Sequence, residues 1–303
     1  MRALRTALFA LAVAALLAAL APSSPMRAED AMPATASEMA DLQTDLQAII
    51  DESGYDITVA VTDLQTGETA GVRVDEPRLT GCTINLLVLI QVIRDVQDGL
   101  IAFDDVDWMV SDTIRYSDAS LARELVYMLG SGDLESGLAR VRSLAASLGL
   151  TSAVYDHPPA FGDESFALVD NTMTPADMNR LLAMLWRGEL LSPDLTQYIL
   201  DRMSDVYPGL QYLLAAGAGP EAVVSHKNGF FWSDDGYFDN DAGIVAVYSD
   251  GGFYAYAISY YASYVPEEFA DVDAGQRIAA RVWAYFRSKY GAADLGALAS
   301  ASP

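Results

Sequence analysis

Side chains able to do covalent chemistry are few in this sequence. It has one cysteine, Cys82, two histidines, His157 and His226, and only two lysines, Lys227 and Lys289, among its 18 basic residues. A thiol is partly ionised at neutral pH and intrinsically nucleophilic, which makes Cys82 the candidate nucleophile for acyl transfer. Its other reading is a small, unreactive core residue. A Cys–His pair with His226 is disfavoured by the adjacent Lys227. Neighbouring strand residues point to opposite faces, so if Lys227 faces Cys82, His226 does not. Amine chemistry must run through Lys227 or Lys289. A single cysteine excludes a disulfide within the chain, and so few Cys and His exclude metal centres rich in them. Asp234, Asp235, Asp239 and Asp241 surround Gly236, but their spacing fails the EF-hand pattern and reads as a solvated hairpin turn. His157 reads as a solvent-facing loop residue. No metal and no cofactor are expected.

The elements that must position these residues belong to a chain of 303 residues, 52% hydrophobic and 20% charged, ample for a large core. Its 42 acidic and 18 basic residues give a net charge of −24. Such a surface repels phosphate backbones and anionic membranes, which excludes nucleic acid as the expected partner. Arg2 and Arg5 precede an apolar run from Ala7 to Ala21, shorter than the roughly 20 residues that span a bilayer. A basic start, an apolar middle and small residues after it read as a signal peptide over residues 1–28, hence an exported protein with no transmembrane segment in its mature form. Without that segment the balance is 15 basic against 42 acidic residues, a net of −27.

Residues 29–37 read as a linker, and Met39, Leu42, Leu46, Ile49 and Ile50 then recur at helical spacing behind Ser37 as N-cap. Alternation over 57–64 and 69–74 about Gly67 predicts a hairpin. A nearly continuous apolar helix follows over 83–96, too hydrophobic for a surface position. Helical patterns continue over 117–129, 135–148 and 176–187. Strands return over 222–230, 242–249 and 252–261, and a helix over 273–290 closes the domain. Tyr254, Tyr256 and Tyr260 share one strand face, to be packed under that helix. The assembly is α+β, an α/β/α sandwich: a five-stranded antiparallel sheet flanked by helices, plus an all-helical lobe. Residues 38–80 and 220–292 make the sheet lobe, 81–219 the helical lobe and 293–303 a tail.

Cys82-Thr83-Ile84-Asn85 at the start of the buried helix, Ser117-Asp118-Ala119 in the helical lobe and Lys227-Asn228-Gly229 on a late strand stand in an order that resembles the class A β-lactamases and penicillin-binding serine hydrolases. That family carries S-x-x-K, S-D-N and K-T-G in those places. The flanks DLQTGETAGVRVDEPRLTG, NTMTPADMNRLLAMLWRGELLSP and DAGIVAVYSDGG are similar to its own, and the likeness covers about residues 40 to 290. It implies a β-lactamase/transpeptidase-like fold and an acyl-enzyme site holding Cys82 and Ser117. Lys227, Asn228, Gly229 and Phe230 would bind the ligand, and the backbone N–H groups of Cys82 and Phe230 would form an oxyanion hole. Lys227 would pair with a ligand carboxylate, with Asn228 as a donor to it, and Gly229 would leave the strand edge open to a ligand backbone.

Three departures alter that expectation. Asn85 stands where the family has its lysine, and a neutral amide is no base. Ala119 stands where the family has the asparagine that holds the substrate amide. The stretch 155–171 lacks the E-x-x-L-N pattern, and Glu164 is out of register. The expectation is a family member weak or inactive toward β-lactams, with a cleft for a carboxylate-bearing β-lactam or peptidoglycan stem peptide. The alternative is an active hydrolase, of β-lactamase, peptidase or esterase type, with Cys82 as acyl acceptor.

Overall fold

A computed structural model of the chain describes residues 36–157, 171–249 and 252–291. The expected signal peptide 1–28, most of the expected linker, Glu164 and the expected tail 293–303 lie outside the described residues. Helix α1, Ala36–Ser53, opens one residue before Ser37, which therefore sits inside the helix rather than at its cap. Met39, Leu42, Leu46 and Ile50 form its buried stripe, three and four residues apart as an amphipathic helix requires.

Strands β1 (Asp56–Asp63) and β2 (Thr69–Val72) make the first hairpin. A two-residue strand β3, Arg78–Leu79, leads to a 3₁₀ turn at Gly81–Ile84 and helix α2, Asn85–Gln97. The helical lobe continues with α3 (Phe103–Arg115), α4 (Ala119–Leu129) and α5 (Leu134–Ser147). Strand β4, Thr172–Met173, pairs with β3 ahead of α6 (Pro175–Trp186) and α7 (Pro193–Ser204). Pro175 occupies the first helical turn, where its missing N–H has no partner to lose. After the short helix α8, Leu214–Gly217, the chain re-enters the sheet as β5 (Ala222–Ser233), β6 (Gly236–Ser249) and β7 (Gly252–Val265). Helix α9, Val272–Phe286, then crosses the sheet.

The five strands run in the order β2-β1-β7-β6-β5, with every neighbouring pair antiparallel. Alternation divides the two faces by size. Ala242, Ala246, Ala255 and Ala257 face the helical lobe and admit α6, which packs on β1, β6 and β7, while seven apolar residues of α2, Leu86 to Ile90, Val92 and Ile93, are all but inaccessible within that lobe. Val245, Val247, Tyr254, Tyr256 and Tyr260 face α1 and α9, and Tyr256 stacks on Phe286 at 4.5 Å. The sheet thus separates two apolar cores and carries β5 at its edge. Among the described residues no helix is long and apolar enough to cross a membrane.

The pairing of β6 corrects one sequence expectation. Asp234 and Asp235 form the hairpin turn, but β6 already begins at Gly236, so Asp239 and Asp241 lie within the strand and are fully buried. Their nearness in sequence to a turn concealed this, because the strand begins six residues earlier than the alternation over 242–249 indicates and carries both carboxylates into the sheet.

Candidate functional site

The approach to Cys82 is held from two sides. The Thr80 N–H and hydroxyl both donate to the carbonyl of Asn171, each at 3.1 Å, and the Asn240 amide donates to the Leu79 carbonyl at 2.9 Å. Gly81 then takes φ +51°, a left-handed value that suits glycine. A Cβ there would also stand 3.2 Å from both the Gly229 carbonyl carbon and the Phe231 ring. This turn delivers Cys82, which is half-buried, just ahead of α2. The Asn85 N–H closes the turn on the carbonyls of Cys82 and Thr83.

Asn85 is buried, and its Oδ1 accepts a hydrogen bond from the Tyr155 hydroxyl at 3.1 Å. Burial pushes that phenol well above its ordinary range, and Tyr155 lies within electrostatic reach of Cys82. The pair Asn85–Tyr155 is therefore neutral throughout the physiological range. Tyr155 was not legible as a site residue, since nothing in its local sequence distinguishes it from a core tyrosine. Asn171 fixes the backbone that carries it, accepting from the N–H groups of Asp156 and His157 at 2.9 and 3.2 Å and donating to the His157 carbonyl at 2.8 Å.

Ser117 and Lys227 meet across the site. Ser117 sits at φ +56° immediately before α4, and Asp118 caps that helix by accepting from the N–H groups of Ser120 and Leu121. The Lys227 ammonium donates to the Ser117 hydroxyl and to the Asn228 carbonyl. Lys227 is wholly buried, so desolvation lowers its pKa, while nearby Cys82 and Asp241 oppose the shift. Ala119 is the first residue of α4, and a methyl group there offers no amide donor.

One sequence expectation on β5 is corrected. Asn228 is 2% exposed, neither amide atom has a protein partner, and alternation puts it on the face away from Lys227. It is therefore not placed to reach a ligand beside Lys227. Gly229 serves the protein's own packing. A Cβ there would lie 2.5 Å from the Thr80 carbonyl oxygen and 2.9 Å from the Cys82 nitrogen, so glycine is needed for the protein's own backbone to approach. That contact brings the Cys82 turn against the strand that carries Phe230. The Phe230 ring turns away to Phe269, 4.9 Å between centroids, while Phe231 is buried against Phe238. His226 likewise faces away, where its Nδ1 meets Asp241 at 2.9 and 3.1 Å, an ion-pair geometry that the sequence reading did not anticipate. A separate cleft of about 730 Å³ follows the outer edge of β5, lined by Arg115, Tyr198, Arg202, Asp205 and Val223 but by none of Cys82, Ser117 or Lys227.

The chain matches the model of the β-lactamase enzyme family over residues 41–125 and 109–286. Among solved structures it is similar to PBP-A, with a TM-score of 0.69 and 20% identity over 82% of this chain and 96% of that one. A variant of PBP-A solved as an acyl-enzyme complex with penicillin G gives 0.69 and 21%, over 82% of this chain and 97% of that one. A β-lactamase from Chitinophaga pinensis gives a TM-score of 0.70 at 19% identity, over 80% of this chain and 98% of that one. At these identities the likeness establishes the fold. No curated protein matches the chain.

Proposed function

The chain belongs to the β-lactamase enzyme family, and from that premise we propose that it binds a carboxylate-bearing ligand, a β-lactam or a peptidoglycan stem peptide, and hydrolyses β-lactams weakly or not at all. The observation that carries this reading is Asn85. Three residues after Cys82 at the head of α2, a buried neutral amide bonded to a buried neutral phenol supplies no group to take a proton from a nucleophile. Ala119 supports it further, since a methyl group cannot hold a substrate amide. Ligand binding is supported by what is kept. The Ser117 hydroxyl, held by the Lys227 ammonium, is a donor backed by a positive charge, which suits a carboxylate. Export follows from the basic and apolar start of the sequence, and would deliver the protein to the compartment of peptidoglycan.

Hydrolysis of a chromogenic β-lactam by the natural protein and by a Cys82→Ser, Asn85→Lys double variant tests this reading. The natural protein is expected to show little or no turnover above the uncatalysed rate, and the double variant a gain of at least tenfold. Efficient turnover by the natural protein would overturn it and favour Cys82 as an acyl acceptor. PBP-A, whose variant forms an acyl-enzyme with penicillin G, makes penicillin G the natural binding probe.

A further inference from the structure

The reverse face of β5 holds a group of ionisable residues that the site around Cys82, Ser117 and Lys227 does not use. His226 lies on that face, and the strand register sets Asp241 opposite Asn228 and Asp239 opposite Phe230. Tyr260 of β7 lies opposite Asp241. Asp271, at the N-cap of α9, and Tyr212, just before α8, close the group from above. Asp239, Asp241 and Asp271 are each 0% exposed.

The hydrogen bonds leave this group short of positive charge. Asp241 has His226 Nδ1 at 2.9 Å and the Leu214 N–H at 3.2 Å. Asp239 accepts only from the Tyr212 hydroxyl, and Asp271 only from the Tyr260 hydroxyl, both at 2.8 Å among side-chain donors. One oxygen of each, Oδ2 of Asp239 and Oδ1 of Asp271, has no protein partner. Lys227 senses Asp241 through the strand, yet its ammonium is bonded forward to Ser117 and the Asn228 carbonyl. Three carboxylates with one imidazole between them cannot all ionise cheaply in a site without solvent. The group is not built as a metal cage, for among the described residues no set of three or more His, Cys, Asp or Glu is arranged to hold a metal ion.

We propose that this group is a proton-holding device: in the folded protein Asp239 carries a proton at neutral pH, and losing it loosens the packing of β5 and β6 against α8 and α9. The inference stands apart from the ligand reading, because it concerns the fold alone. Burial, and next the charge of Asp271, push the Asp239 carboxyl up to about 8, and burial raises Asp271 in the same direction. The other ionisable groups around Asp239 are His226 and Lys227 on β5, Asp241 on β6, Tyr260 and Tyr261 on β7, Tyr212 before α8 and Asp271 before α9. Burial raises the three phenols, which keeps them protonated over the range in question.

The sign follows from proton counting. Free in the unfolded chain, Asp239 titrates near 3.8, so between that value and about 8 the folded state holds the extra proton. Stability therefore falls as pH rises through that interval and levels off above it. The composition makes the effect legible: ordinary carboxylates are ionised by about pH 5, and the chain has only two histidines.

Thermal unfolding of the full chain at pH 5 to 9 tests the device, with Asp239→Asn and His226→Asn beside the natural protein. The natural midpoint is expected to fall by on the order of 5–10 °C between pH 5 and 8. Asp239→Asn keeps an acceptor for Tyr212 but cannot ionise, so its profile flattens, while His226→Asn keeps the fall. An unflattened Asp239→Asn profile, or a fall abolished only by His226→Asn, overturns the proposal. Should Asp239→Asn fail to fold, infrared difference spectra of the natural protein decide: a neutral-carboxyl band present at pH 6.5 and lost by pH 9 is expected, and its absence overturns the proposal.

Discussion

On its front face β5 carries Lys227, an ammonium bonded to a hydroxyl and a carbonyl; on its back face it carries His226 beside a group of three carboxylates. Lys227 and the carboxylates behind it are buried alike, and dehydration moves both toward neutrality from opposite sides. Burial lowers Lys227, favouring loss of its proton, and raises Asp239, favouring retention of one. The contrast lies in what each face can still do. The back has partners of its own and closes on itself through Tyr212, Tyr260 and Leu214. The front keeps a cation whose charge an incoming anion would stabilise, which is the condition for a ligand site rather than a structural one.

Breaking the back face is expected to have the largest effect. Asp241→Ala strands His226 and the Leu214 N–H in the core and is expected to cost about 3–5 kcal/mol in denaturant unfolding. A loss under 1 kcal/mol would show that the imidazole and carboxylate contribute nothing as a pair. Next in size is the contact between β5 and the Cys82 turn. Gly229→Ala forces a Cβ to 2.5 Å from the Thr80 carbonyl oxygen and is expected to cost about 1–3 kcal/mol, with weaker penicillin G binding. The smallest expected change in stability is on the front. Lys227→Met replaces a desolvated cation by an apolar chain and is expected to leave stability within about 1 kcal/mol or raise it. Calorimetric titration of the same variant is expected to show penicillin G binding lost. Retained binding would remove Lys227 from the ligand site, and a stability loss like that of Asp241→Ala would erase the contrast between the faces.

Much of this was legible before any fold was known, and the misses have local causes. The strands of β5 to β7 follow from alternation, and Tyr254, Tyr256 and Tyr260 pack under α9 because a period of two puts them on one face. Asp239 and Asp241 were misread as a solvated turn because strand pairing carries β6 back to Gly236, which no propensity near Asp234 and Asp235 reveals. Asn228 was read as a ligand donor by its place in a motif, yet the alternation that sets Lys227 forward sets its neighbour backward. Tyr155 gave no signal at all: its role comes from a hydroxyl 3.1 Å from a residue 70 positions earlier.

The chemistry that is missing was fixed by residue identity alone. With two lysines in the chain and Asn85 at the head of α2, no fold can place the lysine of S-x-x-K there, because an amide does not titrate. The chemistry that is present was decided by packing. Tyr212, His226, Asp239, Asp241, Tyr260 and Asp271 become one group only when α8 and α9 close over the sheet and remove water from carboxylates that solvent would otherwise keep charged.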